Sequence, residues 1–342
     1  MIEPEMKIIR PKIVLLALLL VISLTISGWQ IVTRQYLPVA PDDPAIIEIR
    51  VPENSSARQI AVLLKQNGLI RSEKFFLGYL YQKGMEKQLK AGLYVFKKSQ
   101  SLPELAIQIS QGKVKNSVFT VPEGYTVRQI GELLINKQFC TQQQWSEALQ
   151  ANYDYDFLIP GKPGDEKRLE GFLFPDTYTI DDQTSVQDIL NMMLQRFTGI
   201  WNQEYRASAD AKQLSVRKTI IVASLIEREA RVAEERKRIS GVIYNRLQKG
   251  MPLQIDATVI YALGEHRDTV TYQDLEINSP YNTYKFAGLP PGPIASPGRA
   301  AIEAALNPET NSYYYYVAKG DGSHYFSSTY AEHLTAKKKY GL

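Results

Sequence analysis

The chain has 342 residues, enough for two modest domains, and its formal net charge of +4 is close to neutral. Lysines and arginines are scattered, without a basic stripe interleaved with aromatic residues, which argues against a nucleic-acid-binding protein. A single cysteine, Cys140, excludes an intramolecular disulfide and any metal site built from several cysteines. Metal-ligand spacing is absent among His266, His324 and His333, and no glycine-rich phosphate loop follows a predicted strand. The sequence therefore predicts neither a metal nor an organic cofactor.

The N-terminal region contains an uncharged apolar stretch, residues 13–32, that is long enough to span a bilayer core. Three cations (Lys7, Arg10 and Lys12) precede it, which predicts a cytoplasmic N-terminus and an extracytoplasmic or periplasmic remainder. The alternative is a cleaved signal peptide, but the apolar stretch is long and no A-x-A-type site follows it. We predict a single-pass protein of the cell membrane with a cytoplasmic tail at 1–12, a transmembrane helix at 13–33 and a linker at 34–44.

A small strand–helix–helix–strand module is predicted after the linker. A strand at 46–51 leads into an amphipathic helix capped by Ser55 or Ser56, and a second helix at 72–83 precedes a strand at 89–98. The segment VPENSSARQI, starting at Val51, returns as VPEGYTVRQI, starting at Val121. This echo favours internal similarity, although a strand, a turn and a capped helix are also a common local arrangement.

Two glutamates lie in the otherwise apolar run IIVASLIEREA, which predicts one buried helix beginning after Ser215 and continuing into residues 233–237. On such a helix, Arg231 lies four residues from Glu227, whereas the residues three and four positions from Glu229 are all apolar. An apolar environment raises the pKa of a carboxyl and lets it donate a proton near neutral pH. Glu229 is therefore the predicted general acid; the alternative is a buried glutamate satisfied by an arginine or by backbone donors.

Several later segments carry polar groups suited to sugar hydroxyl and acetamido groups. Asp256 is predicted to cap a short helix at 257–263 that Gly264 ends, while Asn245, Gln254 and Tyr261 are potential hydrogen-bonding groups.

Residues 279–298, rich in proline and glycine, predict a long rigid loop that either forms the wall of a binding groove or packs over the core. In the run Tyr313–Tyr316, alternate tyrosines face opposite sides of a strand, so one pair would enter the core and the other could stack on sugar rings. His324 is a polar groove candidate.

Four motifs occur in order: ASLIEREA, NRLQKGMPLQIDATVIYALG, SPYNTYKFAGLPPGPIASPG and SHYFSST. Their combination resembles the YceG-like (MltG) family of endolytic peptidoglycan transglycosylases. The resemblance implies an α+β fold with a LysM-like βααβ module at 45–115 and a mixed α+β catalytic domain at 116–342, with the acid on a buried helix. The second glutamate of the family's ExE motif corresponds to Glu229. The predicted substrate-binding residues are Glu227, Asn245, Gln254, Tyr281, Asn282, Tyr284 and His324.

The resemblance also implies the reaction and the partners. Glu229 would cleave the bond between N-acetylmuramic acid and N-acetylglucosamine within nascent peptidoglycan strands and leave a 1,6-anhydro end, in concert with peptidoglycan synthases, so as to set strand length. Two alternatives stay open. One is a hydrolytic muramidase that pairs Glu229 with Asp176 or Asp256, since hydrolysis usually needs two carboxylates. The other is a non-catalytic, membrane-anchored peptidoglycan-binding protein.

Overall fold

The structure, a computed structural model, describes residues 11–158, 165–265, 267 and 269–341, without the side chains of residues 11–14 and 17. Most of the predicted cytoplasmic tail at 1–12, and also His266, lie outside the described residues. The chain divides into two compact regions. The N-terminal region comprises residues 1–117 and 180–183, and the C-terminal region comprises residues 118–179 and 184–342.

The N-terminal region consists of four helices and one antiparallel strand pair. In chain order these are α1 (Pro11–Tyr36), β1 (Ile46–Val51), α2 (Ala57–Gln66), α3 (Glu73–Lys83), β2 (Gly92–Lys97) and α4 (Leu102–Gln111). Helix α1 covers the segment predicted to cross a membrane. Among the residues described, no helix has both the length and the apolar character of a membrane span, so the transmembrane helix predicted at 13–33 is not found there.

The core of the N-terminal region follows from the alternation in its strands and the apolar faces of its helices. In β1 and β2, Ile49, Val51, Tyr94 and Phe96 point inward and are almost fully buried. The strands pair from Ile46 opposite Lys97 to Val51 opposite Gly92. The observed order is therefore strand, helix, helix, strand, with α4 closing the core through Leu105 and Ile109.

The repeated VPE segments fold in the same way. After β1, Ser56 caps α2 through a reciprocal capping box with Gln59. The second copy follows a strand that ends at Thr120, and there Thr126 forms the same capping box with Gln129. Each box satisfies backbone N–H groups that the first helical turn leaves without partners. The shared Arg-Gln-Ile sequence therefore has a structural explanation, because its glutamine is the reciprocal partner of the cap.

The C-terminal region contains the remaining two strand pairs and nine helices of the described chain, apart from Ser117 and Ile180, the end residues of two strands, which belong to the N-terminal region. These are β3 (Ser117–Thr120), α5 (Val127–Asn136), α6 (Gln142–Gln150), β4 (Thr177–Ile180), α7 (Val186–Ile200), α8 (Gln203–Ala211), α9 (Val216–Glu229), α10 (Arg236–Gln248), α11 (Asp256–Leu263), α12 (Arg299–Leu306), β5 (Tyr315–Ala318), β6 (His324–Ser327) and α13 (Tyr330–Tyr340). Single turns of 3₁₀ helix occur at 166–168, 233–235 and 274–276. Strand β3 pairs with β4, and β5 forms an antiparallel hairpin with β6.

Helix α9 is the centre of the C-terminal region. Residues 219–226 are all buried, and helices α8, α10, α11 and α12 pack around it. Ser215 caps its N-terminus as predicted, by accepting a hydrogen bond from the Lys218 N–H. The predicted continuation into residues 233–237 is wrong, because Ala230 adopts an extended backbone and a 3₁₀ turn precedes α10. Glu229 is therefore the last helical residue of α9.

Candidate active site

The Glu229 carboxyl lies at the point where buried helix α9 ends and the chain turns out of the core. Its Oε2 accepts a hydrogen bond of 2.8 Å from the hydroxyl of Tyr316 on β5. Desolvation raises the pKa of Glu229 above the ordinary glutamate value, and the hydrogen bond from Tyr316 opposes this rise. A partly exposed carboxyl with a raised pKa is better suited to donate a proton than an ordinary glutamate.

A second carboxyl adds to this effect. The negative charge of Asp256, the first residue of α11, also raises the pKa of Glu229, whereas His324 and Arg228 act in the opposite direction. The Asp256 carboxylate accepts a short hydrogen bond from the Tyr284 hydroxyl. The prediction that Asp256 caps α11 is wrong, because the N-cap position is Ile255 and no side chain caps the helix. Gly264 does end the helix, in the left-handed conformation that glycine adopts readily.

Tyr316 is held in place by the β5–β6 hairpin and by a buried carboxylate. Its ring contacts the His324 imidazole edge to face, with 5.3 Å between centroids. Glu235, which is 7% exposed, accepts hydrogen bonds from the His324 backbone N–H at 3.0 Å and contacts His324 Nδ1 at 2.7 Å. Glu235, His324 and Tyr316 thus form a chain of contacts that ends on the Glu229 carboxyl.

Arg246 on α10 contacts the residues at the start of the same hairpin. Its guanidinium donates to the carbonyl oxygens of Tyr314, at 2.6 Å, and Leu253, at 2.7 Å, and it lies over the Tyr315 ring. An arginine with this many backbone acceptors fixes the start of β5. Neither Arg246 nor Glu235 was predicted from the sequence, because their partners Tyr314 and His324 lie 68 and 89 residues away.

The Glu227 carboxyl has a different hydrogen-bond partner from that of Glu229. Its Oε2 accepts a hydrogen bond of 3.0 Å from the Gly298 backbone N–H at the start of α12. Burial raises the Glu227 pKa, with Glu123 adding to the rise and the Gly298 hydrogen bond opposing it. Arg231 is not the partner expected, because α9 ends before it. A Cβ at Gly298 would overlap the Glu123 carboxyl, so a larger residue there would require the Glu123 side chain to move.

Three predicted substrate-binding residues make hydrogen bonds or ring contacts that hold loops in place. The Asn245 amide donates to the Asn311 and Tyr313 carbonyls, and the Asn282 amide donates to the Leu275 and Ile277 carbonyls. Tyr281 is buried against the Tyr261 ring, with centroids 4.8 Å apart. These contacts position the segments that carry Tyr316 and Tyr284.

The remaining predicted residues face the surroundings of Glu229 or the solvent. Tyr284 is partly buried. Burial is the largest cause of its raised pKa, the Asp256 carboxylate adds to the rise, and the charge of Glu229 adds less. Gln254 is exposed, with a positive φ of 52°, and its Oε1 accepts from Arg246 Nη1 at 3.3 Å. The structure thus brings Glu229, Tyr284 and His324 together with Asp256 and Tyr316.

Removal of the Asn282 amide is expected to destabilise the C-terminal region. Asn282 is 0% exposed, donates twice to backbone and accepts from the Tyr284 N–H. Buried groups left unpaired cost about 1–3 kcal/mol, so we expect Asn282→Ala to lower the free energy of unfolding by about 2–3 kcal/mol. Denaturant titration measures this. The control is Asn278→Ala in the same loop, whose exposed side chain should make the change neutral; equal stability of the two variants would refute the structural role of Asn282.

Glu170 is, like Glu235, a buried glutamate of the C-terminal region. It is 2% exposed and accepts hydrogen bonds from the Val127 N–H at 3.2 Å and the Tyr261 hydroxyl at 3.1 Å. Burial raises its pKa to about 8. Glu170 joins the start of α5 to α11. Because burial disfavours its charged form more than these hydrogen bonds favour it, Glu170 stabilises the C-terminal region most when protonated.

This raised pKa predicts a pH-dependent stability. The stabilisation from protonated Glu170 is complete below its ordinary pKa of 4.5 and is lost as the pH rises through about 8. The loss is at most about 1.4 kcal/mol per pH unit. Glu170→Gln keeps an acceptor oxygen but cannot ionise, so its stability advantage over the wild type should grow between pH 5 and pH 8. Urea titrations of both proteins test this, and a constant difference across the range would contradict it.

No metal centre is apparent in the described ranges, where no three histidine, cysteine or acidic side chains are grouped so as to hold an ion. The groups that act on Glu229 or lie beside it include the Asp256 carboxyl, the hydroxyls of Tyr316 and Tyr284 and the His324 imidazole. Such a set can donate, accept and orient protons.

The sequence and this geometry place the chain in a known family. The YceG-like family matches residues 49–339, so the chain belongs to the YceG-like family. A Bacillus subtilis (strain 168) protein named endolytic murein transglycosylase is 38% identical over 315 residues, which cover 89% of this chain and 87% of that protein.

Two further relatives agree. A Streptococcus pneumoniae (serotype 2, strain D39) protein of the same name is 32% identical over 90% of this chain, and the match spans 60% of that longer protein. The 2.6 Å crystal structure of a YceG-like protein, lmo1499 of Listeria monocytogenes, has a TM-score of 0.57 and 33% identity, and covers 85% of this chain and 98% of that one. The mixed α+β fold is therefore that of the YceG-like proteins.

Proposed function

We propose that this protein is an endolytic murein transglycosylase, a lyase that cleaves peptidoglycan strands at the bond between N-acetylmuramic acid and N-acetylglucosamine. The observation that carries the proposal is the Glu229 carboxyl, whose pKa is raised by desolvation and which accepts a hydrogen bond from the Tyr316 hydroxyl. The names of the bacillar and streptococcal relatives support the substrate class.

The reaction uses one carboxyl twice. Protonated Glu229 donates its proton to the glycosidic oxygen, and the N-acetylglucosamine side leaves as an alcohol. The resulting carboxylate, stabilised by the Tyr316 hydrogen bond, then takes the proton from the muramoyl 6-hydroxyl as that oxygen attacks the anomeric carbon. The product is a 1,6-anhydro ring, no water is consumed, and Glu229 is protonated again.

Asp256 and Tyr284 have supporting roles in this scheme. The Asp256 charge helps to keep Glu229 protonated before the first step. The Tyr284 hydroxyl, which donates to Asp256, holds that carboxylate in place and is a further polar group beside the reacting sugar. Of the predicted substrate-binding residues, we assign direct contact with the glycan to Tyr284, His324 and Gln254, and structural support to Glu227, Asn245, Tyr281 and Asn282.

The second candidate function is a hydrolytic muramidase, and one contact favours Asp256 over Asp176 as its second carboxylate. Asp256 acts electrostatically on Glu229, whereas Asp176 is paired with Arg196 at 2.6 Å. The distinction is in the products, because hydrolysis leaves a reducing end and transglycosylation leaves an anhydro end.

Attachment and placement of the enzyme are proposals from the sequence. The apolar segment at 13–33 and the cations before it support a single-pass protein of the cell membrane with an extracytoplasmic catalytic domain. There the enzyme would cut nascent strands beside peptidoglycan synthases and so limit their length. We propose that the strand–helix–helix–strand module at 45–115 is LysM-like and contacts glycan.

Cleavage of purified, long glycan strands tests the proposed function against a non-catalytic binding role. The full chain is incubated with strands stripped of peptides, and their length distribution is followed by chromatography. We expect strands to shorten through internal cuts. Binding of the strands without any shortening would overturn the enzymatic proposal.

A further inference from the structure

A polar cleft lies in the C-terminal region, on residues that do not surround Glu229. It has a volume of about 560 Å³ and is formed by residues 152–155 on one side and by helix α7 on the other. All of its lining side chains are polar or aromatic, with Asn191 and Gln195 on the helix wall and Tyr155 opposite. In a cleft, several amides can contact one ligand at the same time. The side chains on an ordinary solvated helix face share no concave surface and cannot do this.

The amides reach the cleft because of the period of helix α7. Gln187, Asn191 and Gln195 are spaced four residues apart, so they form one stripe along the helix. The opposite face, which includes Ile189, Met193 and Ile200, is buried in the core. The helix is thus anchored by its apolar face and presents a row of amides to the cleft, in which Asn191 is partly buried and Gln187 and Gln195 are exposed.

The side chains of Asn191 and Gln195 both lie beside the Tyr155 hydroxyl. The Tyr155 hydroxyl donates to Asn191 Oδ1 at 2.6 Å, and the Tyr155 ring lies 5.2 Å from that of Phe157. This bond engages the Asn191 oxygen, and the N–H groups are the donors of that amide. The pKa of Tyr155 is raised by burial and lowered in part by the Gln195 side chain, which places that amide beside the same hydroxyl.

The charges around the cleft limit the ligand. Asp154 and Asp188 are its charged lining residues, and the Asp188 carboxylate is used in capping α7 through Ser185. The absence of lysine and arginine from the lining disfavours phosphate and carboxylate ligands. An exposed carboxylate beside amides and an aromatic ring suits a neutral sugar with hydroxyl groups, and an amide donor beside an amide acceptor suits a secondary amide.

We infer that this cleft is a second glycan site, in which Asn191 and Gln195 bind the acetamido group of an N-acetylated sugar. The inference rests on the proposed function for its biological substrate, since peptidoglycan strands carry an acetamido group on every sugar. A site apart from Glu229 holds the strand on the enzyme while a distant bond is cut. Secondary amides also occur in peptide stems, and the test separates the two sources.

Binding is measured by calorimetry on the full chain carrying Glu229→Gln, with tetra-N-acetylchitotetraose as the probe. Cellotetraose, which has the same linkage but hydroxyls in place of acetamido groups, is the ligand control. We expect chitotetraose to bind and Asn191→Ala/Gln195→Ala to weaken this binding at least fivefold or to remove one of two sites, with cellotetraose binding much more weakly to both proteins. Gln150→Ala, an exposed glutamine of the neighbouring α6 outside the cleft, should leave binding unchanged.

Free stem peptide is titrated in the same way. Three results would overturn the inference: the double variant binds chitotetraose as tightly as its parent, cellotetraose binds as tightly as chitotetraose, or the double variant loses binding to stem peptide but not to chitotetraose. Both substituted side chains are on a surface stripe and alanine favours helix, so circular dichroism should show an intact fold. The binding result is independent of catalysis. If wild-type enzyme failed to cut strands while the double variant still lost chitotetraose binding, the proposed reaction would be wrong and the cleft would stand as a sugar site.

Discussion

Glu229→Gln is expected to reduce cleavage of glycan strands by about 10²–10⁴-fold, the usual contribution of a general acid–base group. Glutamine keeps the size of the side chain and can accept the 2.8 Å hydrogen bond from Tyr316, but it has no proton to give to the glycosidic oxygen. The fold should be unaffected, because the substitution removes a carboxyl whose desolvation disfavours its charged form. Initial rates on purified strands measure the effect.

Glu227→Gln is the matched control for this substitution. It lies two residues away on the same helix, it is also a desolvated glutamate, and its contact is with the Gly298 backbone rather than with Tyr316. We expect this variant to retain activity within about tenfold of the wild type. If Glu227→Gln were the inactive protein and Glu229→Gln the active one, the roles assigned to the two glutamates would have to be exchanged.

Asp256→Asn and Tyr316→Phe are expected to move the pH profile of kcat/KM in opposite directions. Activity requires protonated Glu229, so the rate falls as the pH rises through the Glu229 pKa. Removing the Asp256 charge lowers that pKa and moves the basic limb to lower pH, whereas removing the Tyr316 hydroxyl raises the pKa and moves the limb to higher pH. No merely structural role would produce this opposition.

Tyr316→Phe should also lower the maximal rate. A hydrogen bond to a charged group contributes about 1.5–3 kcal/mol, so loss of the Tyr316 bond to the Glu229 carboxylate should cost about 10- to 100-fold in kcat/KM at the pH optimum. Rates between pH 4 and pH 9 on one strand preparation give both the limbs and the maxima. Limbs that shift in the same direction, or not at all, would show that Asp256 and Tyr316 do not tune Glu229.

The elements of the N-terminal region were largely predictable because their signals are local. The alternation of Ile46–Val51 and the turn after it define β1 and the Ser56 cap. Ser215 was identified as the cap of α9 on the same grounds. Capping and alternation depend on residues within one helical turn or strand, and these are visible in the sequence.

The site was predicted only in part, because its contacts join distant segments. Glu229 was selected on the assumption that α9 continues, yet α9 ends at Glu229 itself, and the groups that act on its carboxyl come from β5, β6 and α11. The tyrosine run pointed to β5 without distinguishing Tyr316 from its neighbours. The partners Glu235 and Arg246 are set by the tertiary fold. Arg246 hydrogen-bonds to Tyr314, 68 residues away, and Glu235 hydrogen-bonds to His324, 89 residues away.

The most direct test of Glu229 as the single acid–base of a transglycosylase is the mass of the new strand ends after digestion in H₂¹⁸O. The account predicts 1,6-anhydro ends that are lighter than reducing ends by one water and contain no ¹⁸O. Reducing ends that carry ¹⁸O would show that water attacks the anomeric carbon. That result would contradict the transglycosylase mechanism and make Asp256 the second carboxylate of a hydrolase.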